Sequence, residues 1–171
     1  MDKGTFYTHA LARIGDHNDV DGSDEHIACE AYAQQAISVC LDYSRWTWAT
    51  VRKTLTMQDK CAELPADCLR LQSISLPNYE IIGRRIYSAR NEKEAVITYT
   101  TSHFIDVVSL PDYEPTFCEA CILMLAGMIA PRLTDNLTIA QQLKQEAYAA
   151  LHRAKVKDAR VSDSNDQLPT L

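Results

Sequence analysis

The period of the apolar positions changes twice along the chain. Residues 5–14, TFYTHALARI, predict a short first helix that stops at Gly15, a natural C-cap. Residues 16–24 form an acidic loop. A second helix is predicted over 24–45. Cys29, Ala33, Ala36, Ile37, Cys40 and Leu41 recur there at helical spacing and make one apolar face. Ser23 or Asp24 caps it, because a short oxygen side chain accepts from the first-turn amides that lack helical partners.

From Trp46 to Val108 the pattern favours strands. Trp46 and Trp48 share a face on an extended chain, as do Leu55 and Met57. Three runs are predicted strands: LRLQSISL (69–76), YEIIGRRIY (79–87) and AVITYTTS (95–102). Pro77-Asn78 separates the first two. Asn91-Glu92-Lys93 lies between the second and third, which predicts a hairpin of those two. Pro65 and Pro77 fall at edges or turns, where a missing amide does no harm.

Helix returns after Pro111. Residues 114–134 are nearly all apolar, as a central helix would be, with Phe117, Cys121, Met124, Leu125, Met128 and Ile129 inward. Pro131 is expected to kink its last turn. Asn136 or Thr138 opens a final helix over 138–161, with Leu143, Ala147, Ala150, Leu151 and Ala154 as its stripe. The polar segment 162–171, SDSNDQLPTL, reads as a flexible tail. The fold class expected is α+β, mainly α: a small bundle of about four helices in a single domain over 1–161. A strand-rich β-hairpin insertion over 46–108 lies between the second and third main helices. The absence of βαβ alternation excludes a doubly wound sheet.

Charge narrows the function classes. The 171 residues carry a net charge of −6, and the sequence pI is near 5.3. Affinity for phosphates comes from lysines and arginines that release counterions, so this balance argues against nucleic-acid binding as the main role. Residues 1–30 hold seven acids against two bases, and residues 141–161 hold five bases against two acids. Ends of opposite sign suit attraction within a monomer or head to tail between copies. The longest uncharged apolar stretch, Cys121–Ala130, is too short to span a bilayer, and the N-terminus lacks a signal-like apolar run. A soluble protein made inside a cell is expected.

Candidate chemistry is sparse. The five glycines are never closer than seven apart, so neither GxGxxG nor a Walker A loop exists. The loop 16–23 has Asp19, Asp21 and Gly22 in calcium-loop register, but His17 stands at position one and Ala28 at twelve, so no metal is expected. Cys118 and Cys121 have C-x2-C spacing inside an apolar helix with no second ligand pair, which reads as reduced core thiols beside Cys29, Cys40, Cys61 and Cys68. The histidines at 9, 17, 26, 103 and 152 form no metalloprotease or deaminase motif. No GxSxG elbow exists either. Arg84-Arg85, Arg90 and Lys93, interleaved with Tyr79, Tyr87 and Tyr99, read either as a hairpin with alternate faces or as a basic, aromatic nucleic-acid surface.

The order of the pieces then carries a resemblance. A Trp-x-Trp follows the long second helix. Glu63-Leu64-Pro65-Ala66-Asp67-Cys68-Leu69-Arg70, Tyr79-Glu80-Ile81-Ile82-Gly83-Arg84-Arg85-Ile86-Tyr87, Ile97-Thr98-Tyr99 and Leu110-Pro111-Asp112 come next. The apolar helix and a final helix ending Ala154-Lys155-Val156-Lys157-Asp158-Ala159 close the series. Over residues 23–160 this resembles the head–tail adaptor (connector) proteins of tailed bacteriophages, in particular the tail tubular protein A, or gatekeeper, group of short-tailed phages. The resemblance implies a structural virion protein at the neck, made in the host cytoplasm, without catalytic residues, cofactor or metal. It implies a ring, usually of twelve copies, beneath the portal protein. That ring extends the DNA channel and docks tail or neck proteins, and double-stranded DNA passes without specific binding. No membrane is involved. By position it assigns portal contacts to Arg153, Lys155, Lys157, Arg160, Leu168, Pro169 and Leu171. It assigns tail-facing or inter-subunit contacts to Pro77, Asn78, Arg84, Arg85, Arg90, Asn91 and Lys93. Two other classes stay open. One is an enzyme built from Cys, His and Asp. The other is a small monomeric nucleic-acid-binding or regulatory module that uses the Arg84–Lys93 hairpin.

Overall fold

The computed structural model describes residues 1–16, 20–112 and 114–165, with side chains through 159. The chain forms two compact units. Residues 1–47 and 104–171 make one, and residues 48–103 the other.

The first unit is helical: α1 (Lys3–Arg13), α2 (Asp24–Asp42), α3 (Pro115–Thr134) and α4 (Leu137–Asn165). Local chemistry sets the helix starts. Asp2 accepts from the Thr5 amide at 2.8 Å and from the Thr5 hydroxyl at 2.7 Å. Ser23 Oγ accepts from the His26 amide at 3.1 Å, and Asp24 and Glu25 sit in the first turn, where the helix dipole favours acids. Pro115 occupies the first position of α3, where no amide is needed. Asn136 Oδ1 accepts from the amides of Thr138 and Ile139, both at 3.1 Å, and starts α4.

Helix α3 is long and apolar enough to cross a bilayer. Here it is the core of the unit, packed against α1, α2 and α4. Its residues from Phe117 to Gly127 are buried, apart from Glu119, and so are Ile129 and Ala130. The α2 stripe of Cys29, Ala33, Ala36, Ile37, Cys40 and Leu41 is buried, as are Leu143, Ala147, Ala150, Leu151 and Ala154 of α4. Helices α3 and α4 approach so closely at Gly127 that a Cβ there would lie 3.1 Å from the Ala140 carbonyl oxygen and 2.8 Å from Lys144 Cγ. Only glycine fits that contact without displacing a neighbour.

The second unit is β: β1 (Thr50–Thr56), β2 (Cys61–Glu63), β3 (Cys68–Ile74), β4 (Tyr79–Ile82), β5 (Arg85–Ser88) and β6 (Glu94–Thr101). They form two three-stranded antiparallel sheets with the orders β1-β6-β3 and β2-β5-β4. Leu55, Met57, Ala62, Cys68, Leu76, Ile86, Ala95, Ile97 and Tyr99 make its core.

These sheets correct the expected fold class. The chain is not a mainly α bundle carrying one β-hairpin. Among the described residues, four helices accompany six strands in two sheets, and the strands have a core of their own. The run 79–87 is not one strand. It folds back at Gly83 into β4 and β5, with Ile82 opposite Arg85. Gly83 has φ +60°, as the first central residue of a type II′ turn requires. The predicted pairing of 79–87 with 95–102 also fails. β6 lies between β1 and β3 in the other sheet, and Asn91-Glu92-Lys93 links the two sheets. Trp46 and Trp48 do not share a strand face, because Thr47–Ala49 is a turn of 3-10 helix.

Candidate functional site

Two interaction surfaces are candidates: the far end of α4 and the β4–β5 hairpin. On α4, Arg153, Lys155 and Lys157 are exposed, flanking a buried stripe that ends at Asp158. Lys157 Nζ lies 3.4 Å from Glu114 Oε2, so its partner is outside the acidic segment 1–30. The backbone of α4 continues through residue 165, four residues into the segment read as tail. The side chain of Arg160 and the whole of Leu168, Pro169 and Leu171 lie outside the described residues. So do His17 and Asp19 of the acidic loop.

Asp158 had no assigned role beyond its place in the helix-end motif, yet it is 6% exposed. Its carboxylate accepts from the Thr47 amide at 2.9 Å and from the Thr47 hydroxyl. It therefore pins the end of α4 to the segment that leaves α2. Next to that pin, Trp46 donates its indole N–H to the carbonyls of Cys40 and Leu41 at 3.2 and 3.1 Å. Those carbonyls lie in the last turn of α2, where helical partners run out.

On the β unit, Pro77 and Asn78 are exposed in the link between β3 and β4. The Asn78 carbonyl accepts from the Ala89 amide at 3.2 Å. Arg84 sits in the turn and donates its guanidinium to the carbonyls of Pro65 and Ala66. Arg85 is on β5, and a hydrogen bond to Tyr87 raises its pKa above the usual arginine value. One of the four cations of the nucleic-acid reading, Arg84, is thus engaged within the unit. Arg90, Asn91 and Lys93 are exposed, although the Lys93 carbonyl accepts from the Met57 amide at 2.9 Å. An open cavity of about 300 Å³ is lined by Asn78, Tyr79, Glu80, Tyr87, Ser88 and Ala89.

All four residues of β4 are exposed, three of them apolar: Tyr79, Ile81 and Ile82. Ile81 lies opposite Ile86, which is fully buried, so Ile81 carries the core-facing side of the sheet out to an uncovered edge. Gly83, between Ile81-Ile82 and Arg84-Arg85, is the sequence signal for this hairpin.

Other polar groups bond within the β unit. Asp67 accepts from the Tyr99 hydroxyl at 3.1 Å and the Thr101 hydroxyl at 3.1 Å. Burial pushes the Tyr99 phenol up to about 12, assisted by its bond to Asp67. A raised folded-state pKa means that this stabilisation is whole below pH 10 and is lost as the pH rises towards about 12. Thermal melts are expected to fall over that window, and less steeply in Tyr99→Phe than in the parent chain. Parallel curves would contradict this assignment.

Burial also raises the Cys68 thiol, pushes Cys118 up to about 11 and lifts Cys121 well above its usual value. Protonated thiols are weak nucleophiles, which argues against cysteine chemistry at these positions. Among the described residues, no group of three His, Cys, Asp or Glu side chains could hold a metal ion. No family model matches the sequence, and no curated protein matches it.

Proposed function

We propose that this chain is a structural head–tail adaptor, a ring-forming protein that sits under a phage portal, extends its DNA channel and docks a tail. The observation that carries the reading is β4, an uncovered edge strand with three exposed apolar side chains on a separate β unit. Sheet edges of this kind pair with other chains unless something blocks them. An adaptor needs such contact surfaces and needs no reaction centre. The exposed Arg153 and Lys155 on the outer part of α4 supply a second surface, the one assigned to the portal.

Charge supports the same role. The helical unit holds 17 acids against nine bases, a net −8, and the β unit eight bases against six acids, a net +2. A predominantly acidic ring wall would give passing phosphates few cations to neutralise. The basic hairpin of the nucleic-acid reading has Arg84 spent on two backbone carbonyls, which favours the adaptor. The test is imaging of the chain mixed with a tailed-phage portal protein. A ring seated on the portal supports the role, and bare portals refute it.

A further inference from the structure

The two sheets have four edges between them: β1 and β3 in one, β2 and β4 in the other. Two are blunted in familiar ways, and the third, β1, carries cations that deter all but an acidic partner. β2 is three residues long. β3 carries two irregularities, between Cys68 and Arg70 and between Leu71 and Ser73. β1 displays Arg52 and Lys53, both exposed. β4 has no cation, no proline and no bulge. Short strands, bulges and edge cations are the devices that keep sheets from joining, so β4 stands out as the edge left open.

The charge on these edges selects the partner. Two β4 strands paired antiparallel about their centre would bring two Glu80 carboxylates within one or two positions of each other. Two β1 strands would do the same with Arg52 and Lys53. Both like-with-like pairings are disfavoured. An unlike pairing has the reverse property, because the one charge on β4 is acidic and the charges on β1 are basic.

We infer that β4 of one copy pairs antiparallel with β1 of a second copy, with Glu80 opposite Arg52, Ile81 opposite Val51 and Tyr79 opposite Lys53. The faces agree in this register. Ile81 lies on the core side of its sheet, as the partner of buried Ile86. Val51 lies on the core side of its own, as the partner of buried Tyr99. Glu80 and Arg52 both fall on the other side, so the pair forms across one face. Each copy offers one β4 and one β1, so the contact is heterologous. It propagates from copy to copy and closes into a ring when the rotation permits. This deepens the ring-forming reading and rests on it for its biological sense.

The experiment is sedimentation velocity of the full chain at low salt, where screening is weak. The parent chain is expected to self-associate. E80K alone, and R52E/K53E alone, should each weaken association at least about tenfold, since each sets like charges opposite one another. An equimolar mixture of the two variants should associate again, because each then offers the other a complementary edge at both contacts. All the altered side chains are exposed, so thermal melts should match the parent and exclude misfolding as the cause. The inference is overturned if both variants associate like the parent, if mixing restores nothing, or if the parent stays monomeric at the highest attainable concentration. A ring that forms on the portal regardless of these charge reversals would overturn the strand pairing and leave the adaptor role standing. Charge-dependent association without any portal binding would do the opposite.

Discussion

Trp46→Ala is expected to lower the stability of the protein by about 3–5 kcal/mol, the usual range for removing a large buried aromatic. The ring is 1% exposed. It meets Phe117 of α3 edge-on, with centroids 5.1 Å apart and planes at 70°. Its N–H serves two carbonyls in the last turn of α2. One side chain therefore joins the end of α2 to the central helix and satisfies groups that helix geometry leaves over. Alanine removes the packing and takes the indole donor from the Leu41 carbonyl, while the Cys40 carbonyl keeps the Tyr43 amide at 3.3 Å. For a chain of this length, such a loss corresponds to a fall in melting temperature of roughly 10 °C or more. Trp46→Phe keeps an aromatic ring against Phe117 and loses the donor and part of the indole's bulk, so a smaller drop of about 1–3 kcal/mol is expected. Thermal unfolding followed by circular dichroism separates the two variants. Equal melting temperatures for Trp46→Ala and the parent would show that this junction does not hold the helical unit together.

Asp158→Ala is the second large effect, at about 2–3 kcal/mol. The carboxylate is nearly buried, and its two acceptor bonds both go to Thr47. Removing it strands the Thr47 amide at the start of a 3-10 turn, where no backbone acceptor takes over. Hydrogen bonds to an ionised group are stronger than neutral ones. Asp158→Asn keeps the shape and loses the charge, so it should fall between the parent and alanine. Thr47→Val isolates the hydroxyl and should cost less than Asp158→Ala, because the amide bond remains. If Asp158→Ala melts with the parent, the pin between α4 and the chain leaving α2 contributes nothing. Local exchange of the Thr47 amide would be the companion readout, rising sharply in Asp158→Ala and little in Thr47→Val.

The helices were legible because their information is local. Apolar residues three and four apart marked the faces of α2 and α4, and Ser23 and Asn136 marked starts. The near-continuous apolar run of α3 identified a central helix without showing which neighbour it touches. Gly127 shows what was missed there. Its role depends on Ala140 and Lys144 of another helix, and a lone glycine in a helix does not announce a close approach.

The strands were legible as a class and illegible as a topology. The position of the strand-rich stretch between the second and third helices could be read, while the expectation of one hairpin in a mainly α bundle failed. The run 79–87 looks continuous by hydrophobicity, and the decisive signal was one glycine able to take a positive φ. The pairing of β6 with both β1 and β3 joins residues up to about 50 positions apart, beyond any local pattern. The site residues divide in the same way. Exposed cations on α4 and in the hairpin could be picked out by type. That Arg84 is spent on two carbonyls of the preceding link could not be. Nor could Asp158 be matched to Thr47, since 111 residues separate them.

The central claim, that this chain is a head–tail adaptor, is tested most directly by electron microscopy of the chain mixed with a tailed-phage portal protein. The account predicts a closed ring of copies, coaxial with the portal and seated on its tail-facing end, with the outer part of α4 against the portal. Portals that remain bare while the chain stays dispersed in solution would contradict it.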